Sequence, residues 1–171
     1  MNIPRRRARP LLAATAALVP LELRAFGQGL GWGLTFPYGL FVRASPAASV
    51  EGVRTQFRTP IRELGLLGQY GSGGQIGVMG WAAAAALILG VTLLALAVEF
   101  DDEWSPRRLR AAGAAYVAGG ALFVLTRIPM YETVFVSASD MPNWFTIPLG
   151  ALYVAFVGAV FLRWGRDAEM K

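Results

Sequence analysis

The sequence predicts an all-α membrane protein, a four-transmembrane-helix bundle with a small extracytoplasmic β element, built as a single membrane domain over residues 1–171. Three observations predict it. Only 16% of the residues are charged and 55% are hydrophobic, whereas a soluble domain carries about a quarter charged residues. Uncharged runs cover 35 residues from Leu64 to Val98, 22 from Met141 to Leu162, 16 from Ala111 to Thr126 and 12 from Pro10 to Leu21. The charges that exist gather between those runs.

A spanning helix needs about 20 apolar residues, because the hydrocarbon core is roughly 30 Å thick and a helix rises about 1.5 Å per residue. That requirement predicts helices over about 10–24, 76–98, 108–128 and 144–163. The second and fourth meet it outright. The third meets it once Arg110 and Arg127 snorkel to the two interfaces. The first is shorter and contains Pro20 and Glu22, and it follows a basic cluster of Arg5, Arg6, Arg7 and Arg9. A basic start and a short apolar stretch also describe a secretory signal. No small-x-small cleavage site follows cleanly, so a retained signal-anchor helix is the expectation and a cleaved signal the alternative.

Basic residues set the orientation. With the N-terminus inside, the inner segments hold ten (Arg5, Arg6, Arg7, Arg9, Arg107, Arg108, Arg110, Arg163, Arg166, Lys171), against six outside. The positive-inside rule then puts both termini in the cytoplasm and the loops 25–74 and 129–143 outside a cell membrane.

Within the first outer loop, Leu30, Trp32, Leu34, Phe36, Tyr38 and Leu40 occupy even positions between glycine, threonine and proline. A period of two predicts strands over 30–42 with the apolar face buried, and Pro37-Tyr38-Gly39 can turn the chain. Seating of the same aromatics in the membrane-interface belt is a compatible alternative. Tyr131–Ser137 in the second outer loop is also rich in strand formers. Between them, Thr59 as N-cap, Pro60 at the first turn and Gly68 as stop predict a short helix over 60–67. The Gly71–Gly77 stretch reads as a hinge; as a phosphate cradle it lacks a following Gly-Lys-Ser/Thr and a preceding strand. Gly73, Gly77 and the Gly119-Gly120 pair permit close helix contact, within the bundle or between copies.

Polar groups are sparse. Glu99, Asp101, Asp102 and Glu103 precede Ser105-Pro106 and Arg107, Arg108 and Arg110 at the inner turn. Ser105 and Pro106 suit the cap and first position of the third helix. The carboxylates read as an ion-paired turn, and a divalent-cation site is the sharper alternative. Glu22 and Arg24 flank the end of the first helix, and Arg24, Arg127, Glu132 and Asp140 can form one ion-pair network at the outer interface. The chain has no cysteine and no histidine, and its only lysine is Lys171. That excludes disulfides, thiolate or imidazole metal sites, His-based triads and a Walker-type lysine. No acid stands at the middle of a firm span, which removes support for a proton relay or paired-acid protease. No catalytic, cofactor-binding or metal-binding residue emerges.

Phe36, Tyr38, Gly39 and Leu40, with Pro148 and Gly150 at the opening of the last helix, carry a resemblance. The chain resembles an uncharacterised family of small multi-pass membrane proteins from halophilic archaea, which share an Arg-rich start, an aromatic Phe-x-Trp/Tyr-Gly-Leu loop and a Pro-x-Gly helix opening. The resemblance implies an archaeal source and this architecture, and no activity, cofactor or site. Fifteen arginines against one lysine are compatible with it.

Three function classes follow. The expected one is a non-enzymatic structural or accessory membrane protein. A small oligomeric channel or transporter is the alternative, and a lipid-acting enzyme using the Glu99–Glu103 carboxylates with a metal is the third. The partners expected are the lipid bilayer and a membrane-protein partner or further copies of the chain, with no nucleic acid.

Overall fold

The computed structural model describes residues 5–26, 31–44, 54–98, 104–131 and 145–170. In chain order these form α1 (Arg5–Leu18), β1 (Glu22–Phe26), β2 (Gly31–Thr35), β3 (Leu40–Ala44), β4 (Arg54–Arg58), α2 (Pro60–Leu64), a 3-10 turn (Leu67–Gln69), α3 (Ser72–Val98), α4 (Pro106–Tyr131), β5 (Phe145–Ile147) and α5 (Leu149–Glu169). The Glu99–Glu103 turn, the Glu132–Ser137 part of the expected strand, Glu132 and Asp140 lie outside the described residues.

Among the described residues three helices, not four, are long and apolar enough to cross a membrane: Ser72–Ala97, Pro106–Pro129 and Leu149–Ala168. Each exposes large apolar side chains away from the core, such as Leu93, Leu94, Leu125 and Phe156. Helices apolar all round are at home in lipid. The chain is a multi-pass membrane protein.

The expected first span is the main correction. α1 has 14 residues, roughly 21 Å at the rise of an α-helix, short of a 30 Å core. It stops at Leu18 because Pro20 has no N–H to donate and disfavours helical backbone in the residue before it. Residues 22–24, expected to continue the helix, belong to β1. α1 still packs within the bundle. Thr92 of α3 donates to the Ala13 carbonyl at 3.2 Å and meets the Tyr116 hydroxyl of α4 at 2.9 Å. Thr15 meets the Tyr153 hydroxyl of α5 at 2.8 Å.

The other helices keep their expected identity with shifted ends. α3 begins at Ser72, so the glycines expected as a hinge lie in its first turns. Ser105 accepts from the Arg108 N–H at 3.4 Å, with Pro106 as the first helical residue of α4, as expected. α5 begins at Leu149, and Phe145–Ile147, expected to be helical, form β5. Thr59 caps α2 through the Arg62 N–H, but Gly65, not Gly68, terminates that helix.

The five strands form one antiparallel sheet in the order β4-β3-β2-β1-β5. It therefore joins the first long connection to the segment before α5 and sits at the end of the bundle where α3 and α5 begin. The Trp81 indole of α3 donates to the Phe36 carbonyl at 2.8 Å and pins the β2–β3 turn to that end.

The core runs through Trp81, Ala84, Ile88, Leu109, Tyr116, Phe123, Val154, Val157 and Phe161. α4 and α5 make the most extensive helix contact, and small residues permit it. A Cβ on Gly113 would stand 2.6 Å from the Gly158 carbonyl oxygen, and one on Gly158 would stand 2.6 Å from that of Gly113. Lipid tails are as apolar as leucine, so close van der Waals approach supplies much of the association. Gly90 of α3 has open space in the corresponding direction. The same substitution should therefore act oppositely at the two sites. Gly113→Ala is expected to cost about 1–3 kcal/mol through overpacking, while Gly90→Ala is neutral or stabilises by up to about 1 kcal/mol. Thermal unfolding in detergent separates them.

Candidate functional site

Strand register assigns each residue of the sheet to a face, since directly paired residues point the same way and neighbours alternate. One row runs Ile147–Leu23–Leu34–Phe41–Phe57, and the row beside it on that face contains Ala25, Trp32, Arg43 and Thr55. The other face carries Glu22, Arg24, Gly33, Thr35, Leu40, Val42, Gln56, Arg58 and Thr146, with Leu40 packed against the core. Burial then gives an inversion. Thr35 is fully buried, Glu22 is 1% exposed, and Arg24 and Thr146 are 8% exposed, so the polar face turns toward the bundle. Leu23 is 41%, Trp32 38% and Phe57 50% exposed on the apolar face.

The expectation that the even, apolar positions of 30–42 are buried thus fails at Trp32 and Tyr38, which are exposed, while Gly33, Thr35, Pro37 and Gly39 are the buried residues. Leu34 and Phe36 are half-buried, Leu40 packs against the core, and Leu30 lies outside the described residues. The expected strand is also a hairpin, β2 and β3, turned at Pro37-Tyr38. The reason lies underneath it. The Glu22 carboxylate accepts from Arg24 Nε at 2.9 Å, Thr35 Oγ1 at 3.1 Å and Thr146 Oγ1 at 2.6 Å. Arg24 NH2 lies 2.8 Å and Arg127 NH2 3.5 Å from the same carboxylate. Arg127 comes from α4, 4% exposed, with its guanidinium carbon 4.5 Å above the centre of the Phe123 ring. Burial alone would raise the Glu22 carboxyl. The two guanidinium groups and the hydroxyl donors outweigh it and hold the group at about 2, below an ordinary value of 4.5.

The local sequence builds this cluster directly. Glu22 and Arg24 stand two apart on one strand and so share a face. The linker before β1 is locked by the Leu21 N–H donating to Thr35 O at 2.6 Å and by the Ala151 N–H donating to Leu21 O at 3.1 Å. Gly150 is required there, because a Cβ would fall 1.7 Å from the Pro20 carbonyl oxygen.

Of the expected outer-interface network, Arg24 and Arg127 do come together, but around Glu22. Sequence reasoning missed Glu22, Thr35 and Thr146 as members. Glu22 had a signal: it is the only acid before Glu51, set in an apolar run two residues from an arginine. The threonines had none.

A smaller cluster lies at the β4–α2 edge. The Tyr70 hydroxyl donates to the buried Glu63 carboxylate, and Arg58 NH1 lies 3.7 Å from it. Burial and the Glu63 carboxylate push the Tyr70 phenol above its ordinary value. Among the described residues no group of three or more His, Cys, Asp or Glu is arranged to hold a metal ion. What the arrangement offers chemically is a buried ionic anchor, one carboxylate between two guanidinium groups, beneath an apolar aromatic surface. No protein-family model matches the chain, and no curated protein matches it significantly.

The depressed Glu22 group contributes stability that is fully present above about pH 4.5 and is lost as pH falls toward about 2. Thermal unfolding of the detergent-solubilised protein should show the midpoint falling across that window. In Glu22→Gln this component is absent, and the variant is weaker at neutral pH by about 3–5 kcal/mol, because two guanidinium groups lose their buried partner. An unchanged acid profile in the variant would refute the assignment.

Proposed function

We propose that the protein is a non-enzymatic accessory membrane protein whose apolar sheet face docks the extramembrane segment of another membrane protein. The observation that carries this reading is the inversion itself. A sheet that buries Glu22, Arg24 and Thr146 while exposing Leu23, Trp32 and Phe57 spends its polar side chains on anchoring and offers its apolar ones outward. Trp32 and Phe41 lie with ring centres 5.6 Å apart on that face, and clustered aromatics of this kind serve as interface anchors. Attachment to the ends of spanning helices favours a partner held in the same membrane. The residue inventory, without cysteine, histidine or an internal lysine, supports a role outside catalysis. An archaeal source belongs to the same proposal, on the arginine usage and the aromatic-loop resemblance.

Phe57→Asp tests the docking surface. Phe57 is half exposed, so the substitution should shift detergent stability by less than about 0.5 kcal/mol. It should also abolish a specific crosslink formed by a photoreactive residue placed at Trp32. A crosslink joining two copies of this chain would instead assign the face to self-association. Crosslinks to lipid alone, or a crosslink unaffected by Phe57→Asp, would defeat the proposal.

The proposed orientation puts the sheet outside and, with three crossings, the end of α5 in the cytoplasm. Because the chain has no cysteine, Tyr38→Cys should react with an impermeant maleimide on intact cells, and Arg107→Cys should react only after permeabilisation. The reverse pattern would invert the topology.

A further inference from the structure

At the end of the bundle away from the sheet, α3 and α4 part to leave a cavity of about 420 Å³ lined by Val91, Leu94, Trp104, Arg108, Ala111 and Ala112. Five of the six are apolar, and Arg108 is the sole charged residue among them. Both walls belong to spanning helices, and Leu94 is 62% exposed, so the cavity opens on the side of the bundle that meets lipid. Trp104 is half-buried against the core, its ring edge-on to Phe161 at 6.1 Å. A tryptophan just before a spanning helix is characteristic of the headgroup level.

Among the described residues the charge around the mouth is predominantly basic. Arg107 and Arg110 flank Arg108 on the first turns of α4, all three exposed. The last turns of α5 bring Arg163 and Arg166, together with Asp167 and Glu169, to the same end, where a Cβ on Gly165 would touch Arg110 Cγ and the Pro106 carbonyl. An apolar slot between spanning helices, walled in part by the aliphatic stem of an exposed arginine on the first turn of α4, matches an amphiphile with an apolar chain and an anionic head. Arginine suits phosphate because its planar fork of donors meets the oxygens in pairs. Basic pockets between spanning helices are also a recurring form of anionic-lipid site.

The geometry points to a binding site for one anionic phospholipid, with an acyl chain between α3 and α4 and its phosphate on Arg108. The site is independent of the sheet-face reading and lies at the other end of the molecule. Zwitterionic lipid fits the slot equally well but carries a cationic group to the basic rim. Selectivity for net negative headgroups is therefore the signature.

The test is the unfolding midpoint of the full chain in detergent micelles doped with phosphatidylglycerol or with phosphatidylcholine. Phosphatidylglycerol should raise the midpoint by roughly 5 °C or more at a hundredfold excess over its Kd, and phosphatidylcholine by much less. Arg108→Gln should lose at least half of that difference while keeping the midpoint in plain detergent. Arg108→Lys should keep most of it. Ala111→Phe, which fills the slot, should abolish it, and Leu94→Trp serves if that variant does not fold. Equal stabilisation by both lipids would overturn the site, as would a phosphatidylglycerol shift that survives both Arg108→Gln and the slot-filling variant. So would a shift that appears only after Asp101 and Asp102 are changed to Asn, which would assign Arg108 to the neighbouring acidic turn.

Discussion

A single buried carboxylate joins the two halves of this molecule. Glu22 receives hydrogen bonds from β1, β2 and β5 and lies against a guanidinium from α4. Ionised carboxylates are costly to remove from water, and the cost is offset only when opposite charge and donors surround them. Here both carboxylate oxygens have donors, so the pairing is satisfied and geometrically demanding at once. It also explains why a sheet of five short strands can exist at this place. Isolated hairpins are marginal in water and need a packed face. This one adds ionic anchoring to a small apolar contact, Leu40 against the core, with the helices beneath.

The bundle follows a different rule. Its helices cannot gain by hiding apolar surface from lipid, so they gain by approaching closely and by placing a few hydroxyls across their contacts. Gly113 against Gly158 represents the first device, and the Thr92–Tyr116 and Thr15–Tyr153 pairs represent the second. α1, too short to span, is held by the hydroxyls of α3 and α5. The molecule thus keeps its charges at the two ends and its small residues along the middle.

The three spanning helices, the Thr59 cap and the Ser105-Pro106 start were legible in sequence because each depends on local chemistry: run length, a side-chain acceptor, a missing N–H. The first helix is shorter than its apolar run implies, because hydropathy does not distinguish an apolar strand from an apolar helix over a few residues, and Pro20 divides the two. Trp32 to Leu40 announced a period of two and thereby a sheet with unlike faces. Period alone is silent on which face is covered. Glu22 was visible as an oddity, but its partners Thr35 and Thr146 were not. Their contribution depends on a register that pairs residues 124 positions apart.

That separation has a consequence for biogenesis. β1 is made early, and its neighbour β5 is the last strand to leave the ribosome. At ordinary rates of synthesis of about 5–20 residues per second, Glu22 waits on the order of ten seconds for Thr146. The interval covers the insertion of α3 and α4 and the delivery of Arg127. Strand β1 carries an unpaired edge throughout, which is the template on which stray strands add. Completion of the sheet therefore reports that the chain preceding α5 has been delivered to the same side of the membrane as β1. A nascent protein stalled or mis-threaded before that point displays an open strand edge and a buried carboxylate oxygen without its Thr146 donor.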